Sequence, residues 1–167
     1  MKLSRESEYG LAGLIYLARQ RPPAVVTVRA IADAQALPRM FLAKTFRKLA
    51  QHGVLRSHRG RQRGYELAKA PQEISVREIL EGIEGMDLFE RCVFWSNACT
   101  PDQPCLLHQT WKMIRPQIMD LMARITLADL VRGGAVHSAA PRPASGRVLI
   151  VGQRSASAAR AAATRRR

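Results

Sequence analysis

The seventeen residues from Cys92 to His108 read Cys-x6-Cys-x5-Cys-x2-His, and they constrain the fold more than any other stretch. All three cysteines of the chain, Cys92, Cys99 and Cys105, lie here, with His108 just beyond them. Between them stand turn-formers and polar residues: Ser96, Asn97, Thr100, Pro101, Asp102, Gln103 and Pro104. No helical or strand periodicity runs through the loop, so its order must come from something other than regular packing. Thiolates converging on an ion or cluster would supply it, replacing absent core contacts with coordination bonds. An odd cysteine count suits a disulfide framework poorly, and Glu6 and Glu8 break the stretch after Lys2 and Arg5, so no secretory signal is expected. The remaining alternatives are a metal-free thiol switch and cysteines used as small buried hydrophobes. Zinc favours closer Cys or His pairs. Iron–sulfur clusters take mostly thiolates, with histidine as an occasional substitute. Spacing alone leaves both open.

Charge divides the chain around this loop. Residues 1–70 hold 14 Lys/Arg against 4 Asp/Glu, residues 71–132 hold 6 against 9, and residues 133–167 hold 7 Arg and no acid. A basic front half points to a polyanion, nucleic acid first. A solvated basic surface is the plain alternative. No apolar run approaches the roughly 20 residues that span a bilayer. The expectation is a cytoplasmic protein with no membrane partner, its thiols kept reduced.

Periodicity supplies the elements. Ser4 or Ser7 can cap a first helix running to about Arg19, with Leu11, Leu14, Ile15 and Ala18 on one stripe. Thr27 can cap a short second helix, Val28 to about Ala34. Pro38 suits the first position of a third helix, which runs to about His52 and ends at Gly53 in a left-handed cap. On that third helix Phe41, Leu42, Phe46 and Leu49 form the packing face. Arg39, Met40, Ala43, Lys44 and Arg47 share the other side. Two such helices joined by a tight turn make a helix-turn-helix, whose second helix enters the DNA major groove. Val54–His58 and Gly64–Leu67 are strand-like and are joined by Arg59-Gly60-Arg61-Gln62-Arg63, so a wing with three basic tip residues follows. Candidate DNA contacts are Lys2, Arg39, Met40, Lys44, Arg47, Arg59, Arg61 and Arg63.

Ser75 caps a fourth helix, Val76 to about Glu84. Beyond the cysteines, Leu107, Trp111, Ile114, Ile118, Leu121 and Ile125 alternate steps of four and three, the period of a helix packed along a narrow seam. A dimer seam is the expectation, with a bend at Pro116. From about residue 133 the composition turns to Ala, Ser, Pro, Gly and Arg, which suits a disordered basic tail. The fold class is therefore mainly α. A winged helix-turn-helix DNA-binding domain covers 1–70, the cysteine loop and dimerisation helix cover 71–132, and the Ala/Arg-rich tail covers 133–167.

In order, the opening Met-Lys-Leu-Ser, Tyr9-Gly10-Leu11, Leu14-Ile15-Tyr16-Leu17-Ala18, Ile31-Ala32, Phe41-Leu42, Gly53-Val54-Leu55, Gly64-Tyr65-Glu66-Leu67-Ala68, the three cysteines, Cys105-Leu-Leu-His108 with Trp111, and Ile125-Thr126-Leu127-Ala128-Asp129-Leu130 form a distinctive set. Over about residues 1–132 the chain resembles the IscR/NsrR-type winged helix-turn-helix iron–sulfur regulators. The resemblance implies a homodimeric transcriptional regulator on a double-stranded operator, a repressor. It implies an iron–sulfur cluster held by Cys92, Cys99, Cys105 and one further ligand. That ligand is His108 on the IscR-like pattern, favouring 2Fe–2S. It is Glu8, supplied across the dimer, on the NsrR-like pattern, which suits 2Fe–2S or 4Fe–4S. Iron–sulfur status, redox state or nitric oxide would be the signal. The chain departs from the pattern in a first cysteine gap one residue longer than in typical IscR and in an arginine-rich wing tip. Ala43 and Lys44 also replace operator-selecting acidic and amide residues, so the operator does not carry over. A thiol-switch repressor without metal is one alternative. A metal-stabilised module binding RNA or protein is another. No P-loop, nucleophile–base pair or paired-carboxylate site marks an enzyme.

Overall fold

In the computed structural model the described residues are 4–21, 24–60, 63–88, 90, 92 and 99–133. The helices begin where side chains replace missing backbone partners. Ser4 Oγ accepts from the Ser7 amide at 3.1 Å and opens α1, Arg5–Ala18. Thr27 Oγ1 does the same for Ala30 at 3.1 Å and opens α2, Val28–Ala34. Pro38 stands at the N-cap of α3, Arg39–Gln51, rather than inside its first turn. Gly53, at φ +82°, ends α3 in the left-handed region, as expected. Ser75 caps α4, Val76–Glu84, through the Glu78 amide at 3.1 Å. Each such cap contributes about 1 kcal/mol.

The wing is an antiparallel hairpin of β1, Leu55–His58, and β2, Gly64–Leu67, in the register Leu55↔Leu67 to His58↔Gly64. Val26 adds a third extended piece, exchanging backbone hydrogen bonds of 2.9 and 3.0 Å with Tyr65. Gly64 permits this approach, since a Cβ there would lie 2.7 Å from the Val26 carbonyl oxygen.

The core sits between α1, α3 and α4. Leu14, Ile31, Leu42, Phe46, Leu49, Ile74, Ile79 and Ile83 are sealed within it. Gly13 brings α1 down on α3: a Cβ would meet Phe46 at 2.8 Å and Leu42 at 2.9 Å. Phe41 departs from the expected packing face. It is 59% exposed and makes an edge contact with Tyr9 of α1. Its place on the helix lies about 100° from the Leu42–Phe46–Leu49 centre, at the border of the buried face.

After the cysteine loop come α5, His108–Arg124, and α6, Leu127–Arg132. Thr126 and Asp129 cap α6 reciprocally, and Leu127 enters the main core. Bonds from Val76 N to Ile125 O (2.9 Å) and from Leu127 N to Ile74 O (2.8 Å) fasten this return to the start of α4. The seam of α5 divides. Trp111 is buried, and Ile118 and Ile125 pack on Val76 and Leu80. Ile114 and Leu121 stay exposed, 43% and 53%. Leu107 is half-buried at the N-cap. α4 is only nine residues long, so it covers one side of the stripe. Residues 134–167, for which a disordered tail is expected, lie outside the described residues.

Candidate metal centre and nucleic-acid interface

The loop begins where α4 can no longer continue. Gly85 takes φ +107°, a conformation that costs a side-chain-bearing residue dearly, and a turn through Leu88 follows. Further on, Thr100 and Gln103 form a tight turn, with Gln103 N donating to Thr100 Oγ1 at 3.0 Å. That turn folds Cys99 back on Cys105, whose amide points at Cys99 Sγ at 3.5 Å. Cys105 lies just ahead of α5 and accepts from the His108 amide at 3.0 Å, which fixes His108 at the helix start.

Three sulfurs result that lie within 4.8 Å of one another. Cys92 is buried; Cys99 and Cys105 are half-buried. Cys92 Sγ and Cys105 Sγ are 3.9 Å apart, well beyond the roughly 2.05 Å of a disulfide. Tetrahedral thiolate ligands at about 2.3 Å from one ion stand about 3.8 Å apart, so this separation suits a shared centre. His108 Nδ1 lies 3.1 Å from Cys99 Sγ and joins the group from that side. Glu8 is exposed on the first turns of α1 and is not in the set within this chain. Desolvation raises the Cys105 thiol above its ordinary value, and hydrogen bonding with Cys99 and Cys92 adds to the rise. Three converging sulfurs with an imidazole beside them are a donor set that fits a thiolate-bound metal or cluster, whose binding releases protons.

A polar network joins the loop's root to α3. Lys48 Nζ donates to the Ile83 carbonyl and to Glu6 Oε2, each at 2.9 Å. Lys44 lies 3.9 Å from Glu6. Ser4 and Ser7 both donate to Glu84 Oε1. Burial opposes the Glu84 charge, but these two hydroxyls, with Lys48 nearby, outweigh it and hold the carboxyl below its usual range. The last turn of α4 is thus tied to both α1 and α3.

On the opposite side, α3 and the wing enclose a cleft of about 790 Å³. Arg47, Arg59 and Arg63 line it, with Gln51, Ser57 and His58, and none of the lining residues is acidic. Arg29, from the start of α2, is a fourth arginine in the lining, its Nε 3.7 Å from Asp33 Oδ2. Arg29 was not expected from the sequence. The Val26–Tyr65 bridge just ahead of α2 brings the start of that helix to the wing, although the place of Arg29 just after the Thr27 cap was visible. Met40 is 83% exposed, and Lys44, one turn further along α3, is exposed as well, with its ammonium 3.9 Å from Glu6. Arg39 instead pairs with Asp33 at 2.7 Å, which turns it toward α2. Lys2 and Arg61 lie outside the described residues. Four cations around one cleft repel one another in water, and backbone phosphates relieve that repulsion.

Comparison with known proteins adds three findings. A family model described as Rrf2, iron-dependent transcriptional regulator, matches residues 3–133. A protein of Aquifex aeolicus named as an HTH-type transcriptional regulator is 35% identical over 133 residues, which cover 78% of this chain and 92% of that one. Among solved structures, IscR of T. potens superposes with a TM-score of 0.63 at 26% identity, covering 81% of this chain and 89% of its own. CymR, the global cysteine regulator of B. subtilis, gives a TM-score of 0.66 at 24% identity, covering 81% and 99%, and shows the shared fold.

Proposed function

The chain belongs to the Rrf2 family of DNA-binding transcriptional regulators, and we propose that it is a repressor whose grip on its operator is set by an iron–sulfur cluster in the cysteine loop. The observation that carries this is the convergence of Cys92, Cys99 and Cys105 within 4.8 Å, with His108 Nδ1 3.1 Å from Cys99. Cys92, Cys99, Cys105 and His108 would hold the group, as 2Fe–2S; Glu8 of a second copy is the alternative fourth ligand, which suits 2Fe–2S or 4Fe–4S. When bound it supplies coordination bonds that cross-link the loop and a centre sensitive to oxidants, iron supply and nitric oxide.

The chain's own residues pass that state on. Ordering of the loop fixes the end of α4 at Ile83 and Glu84. Lys48 and the Ser4–Ser7–Glu84 contacts convey that position to α3 and α1. Arg29, Arg47, Arg59 and Arg63 grip phosphates, while the outer face of α3 meets base edges. The exposed Ile114 and Leu121 of α5 form the core of a homodimer seam that sets the spacing of two reading heads. Half-sites lie about 34 Å apart along a duplex, so small shifts in spacing change affinity.

Purification without oxygen, followed by visible spectroscopy and iron assay of wild type, His108→Ala and Glu8→Ala, tests this. Iron and charge-transfer bands in the wild type, weakened by His108→Ala, are expected. A colourless, iron-free wild type would contradict it. A second reading, a disulfide switch between Cys92 and Cys105, draws on their 3.9 Å separation. It predicts a mass loss of two hydrogens on oxidation and no dependence on iron.

A further inference from the structure

We propose that Met40 reads the 5-methyl group of thymine in the operator's major groove and is thereby a specificity-determining residue of α3; this rests on the DNA-binding role of that helix. Met40 is the second residue of α3. The first residues of a recognition helix are those that reach base edges. At about 100° per residue, Met40, Lys44, Arg47 and Gln51 fall on one stripe. Arg47 and Gln51 line the basic cleft, so Met40 continues the same surface by roughly two turns toward the helix start. Its side chain is 83% exposed. Arg39, the one charged neighbour in sequence, is drawn aside by Asp33 and leaves it uncovered.

Phe41 stands next to it, also exposed, with its ring held 6.5 Å from Tyr9 at 64°. A flexible thioether beside a fixed ring makes an apolar spot at the helix-start end of the surface that carries the cationic cleft. Water disfavours such a spot until another apolar group covers it. Met has no donor and only a weak acceptor, so it cannot replace the hydrogen bonds by which Arg, Gln or Asn read bases. The major-groove edge of a base pair offers one apolar group, the methyl of thymine. The methionine side chain, with three rotatable bonds, can settle on that methyl without demanding one orientation.

The test takes duplexes selected from a random-sequence library by the full chain. The affinity of the wild type is measured for the selected duplex and for copies with deoxyuridine at each thymine in turn. At one or more positions, loss of the methyl is expected to weaken wild-type binding roughly four-fold, the value of one buried methylene-sized group. Met40→Ala should bind the thymine duplex about as weakly and no longer separate thymine from uracil there. Arg63→Ala should weaken both equally. Equal affinity of the wild type for thymine and uracil at every position overturns the proposal. So does a Met40→Ala variant that keeps the wild-type preference. If the wild type enriches no sequence at all, the DNA-reading role itself fails, and the inference with it.

Discussion

Cys99 makes two contacts that tie the site together: its sulfur faces His108 Nδ1 at 3.1 Å, and it receives the Cys105 amide at 3.5 Å. It therefore bridges the loop to the first turn of α5. The presence of three cysteines and a histidine in one polar stretch was legible from sequence alone. Which pairs meet was not, because the Thr100–Gln103 turn that folds Cys99 back has no pattern longer than four residues. The basic cleft was half legible in the same way. Arg47, Arg59 and Arg63 follow from a recognition helix and a wing, whereas Arg29 arrives only through tertiary closure. On the proposed phosphate-gripping role of Arg63, Arg63→Ala should weaken binding to all duplexes uniformly. It should also reduce the slope of log affinity against log salt by about 1. Fluorescence anisotropy across a salt series measures this. A loss confined to one sequence would speak against the assignment.

At the scale of elements, helix starts were the most legible part, since Ser4, Thr27 and Ser75 act through their nearest neighbours. Burial was less so. Phe41 lies at the border of its helix's inner face, and the α5 stripe is shared between α4 and the surface. Neither division is local. The tie from Lys48 to Ile83 predicts that Lys48→Met leaves the fold standing, at a cost of about 1 kcal/mol for a partly exposed charged hydrogen bond. Operator affinity in that variant should respond less to emptying the cysteine loop. An undiminished response in the same binding assay would remove Lys48 from the route. Acid should release α6. Hydrogen bonds from Thr126, then Arg132, hold Asp129 down to about 2. A carboxyl depressed in the folded state contributes stability above its unfolded value near 4, and that contribution is lost as pH falls from about 4 to about 2. Hydrogen-exchange protection over 127–132, taken relative to the intrinsic rate at each pH, should therefore fall through that window in the wild type. Asp129→Asn should be nearly insensitive to it.

For the whole molecule, one core holds the reading head and the segment that returns after the cysteines, since Ile79, Ile83 and Leu127 are buried in the same cluster as Leu14 and Phe46. On the proposed function, a change at the loop reaches the DNA-reading unit through this shared core. No described helix is long and apolar enough to cross a membrane. On the proposed dimer seam through the exposed Ile114 and Leu121, Leu121→Asp should shift the protein to monomer in sedimentation velocity. It should also lower operator affinity by more than ten-fold, as each head then binds alone. The most direct measurement takes one selected operator and compares three samples anaerobically: wild type with its cysteine loop loaded with iron, the same protein after chelation, and Cys92→Ser/Cys99→Ser/Cys105→Ser. The expected result is at least a ten-fold difference in dissociation constant between the loaded and chelated wild type, with the triple variant matching the chelated protein. Three equal constants would contradict it.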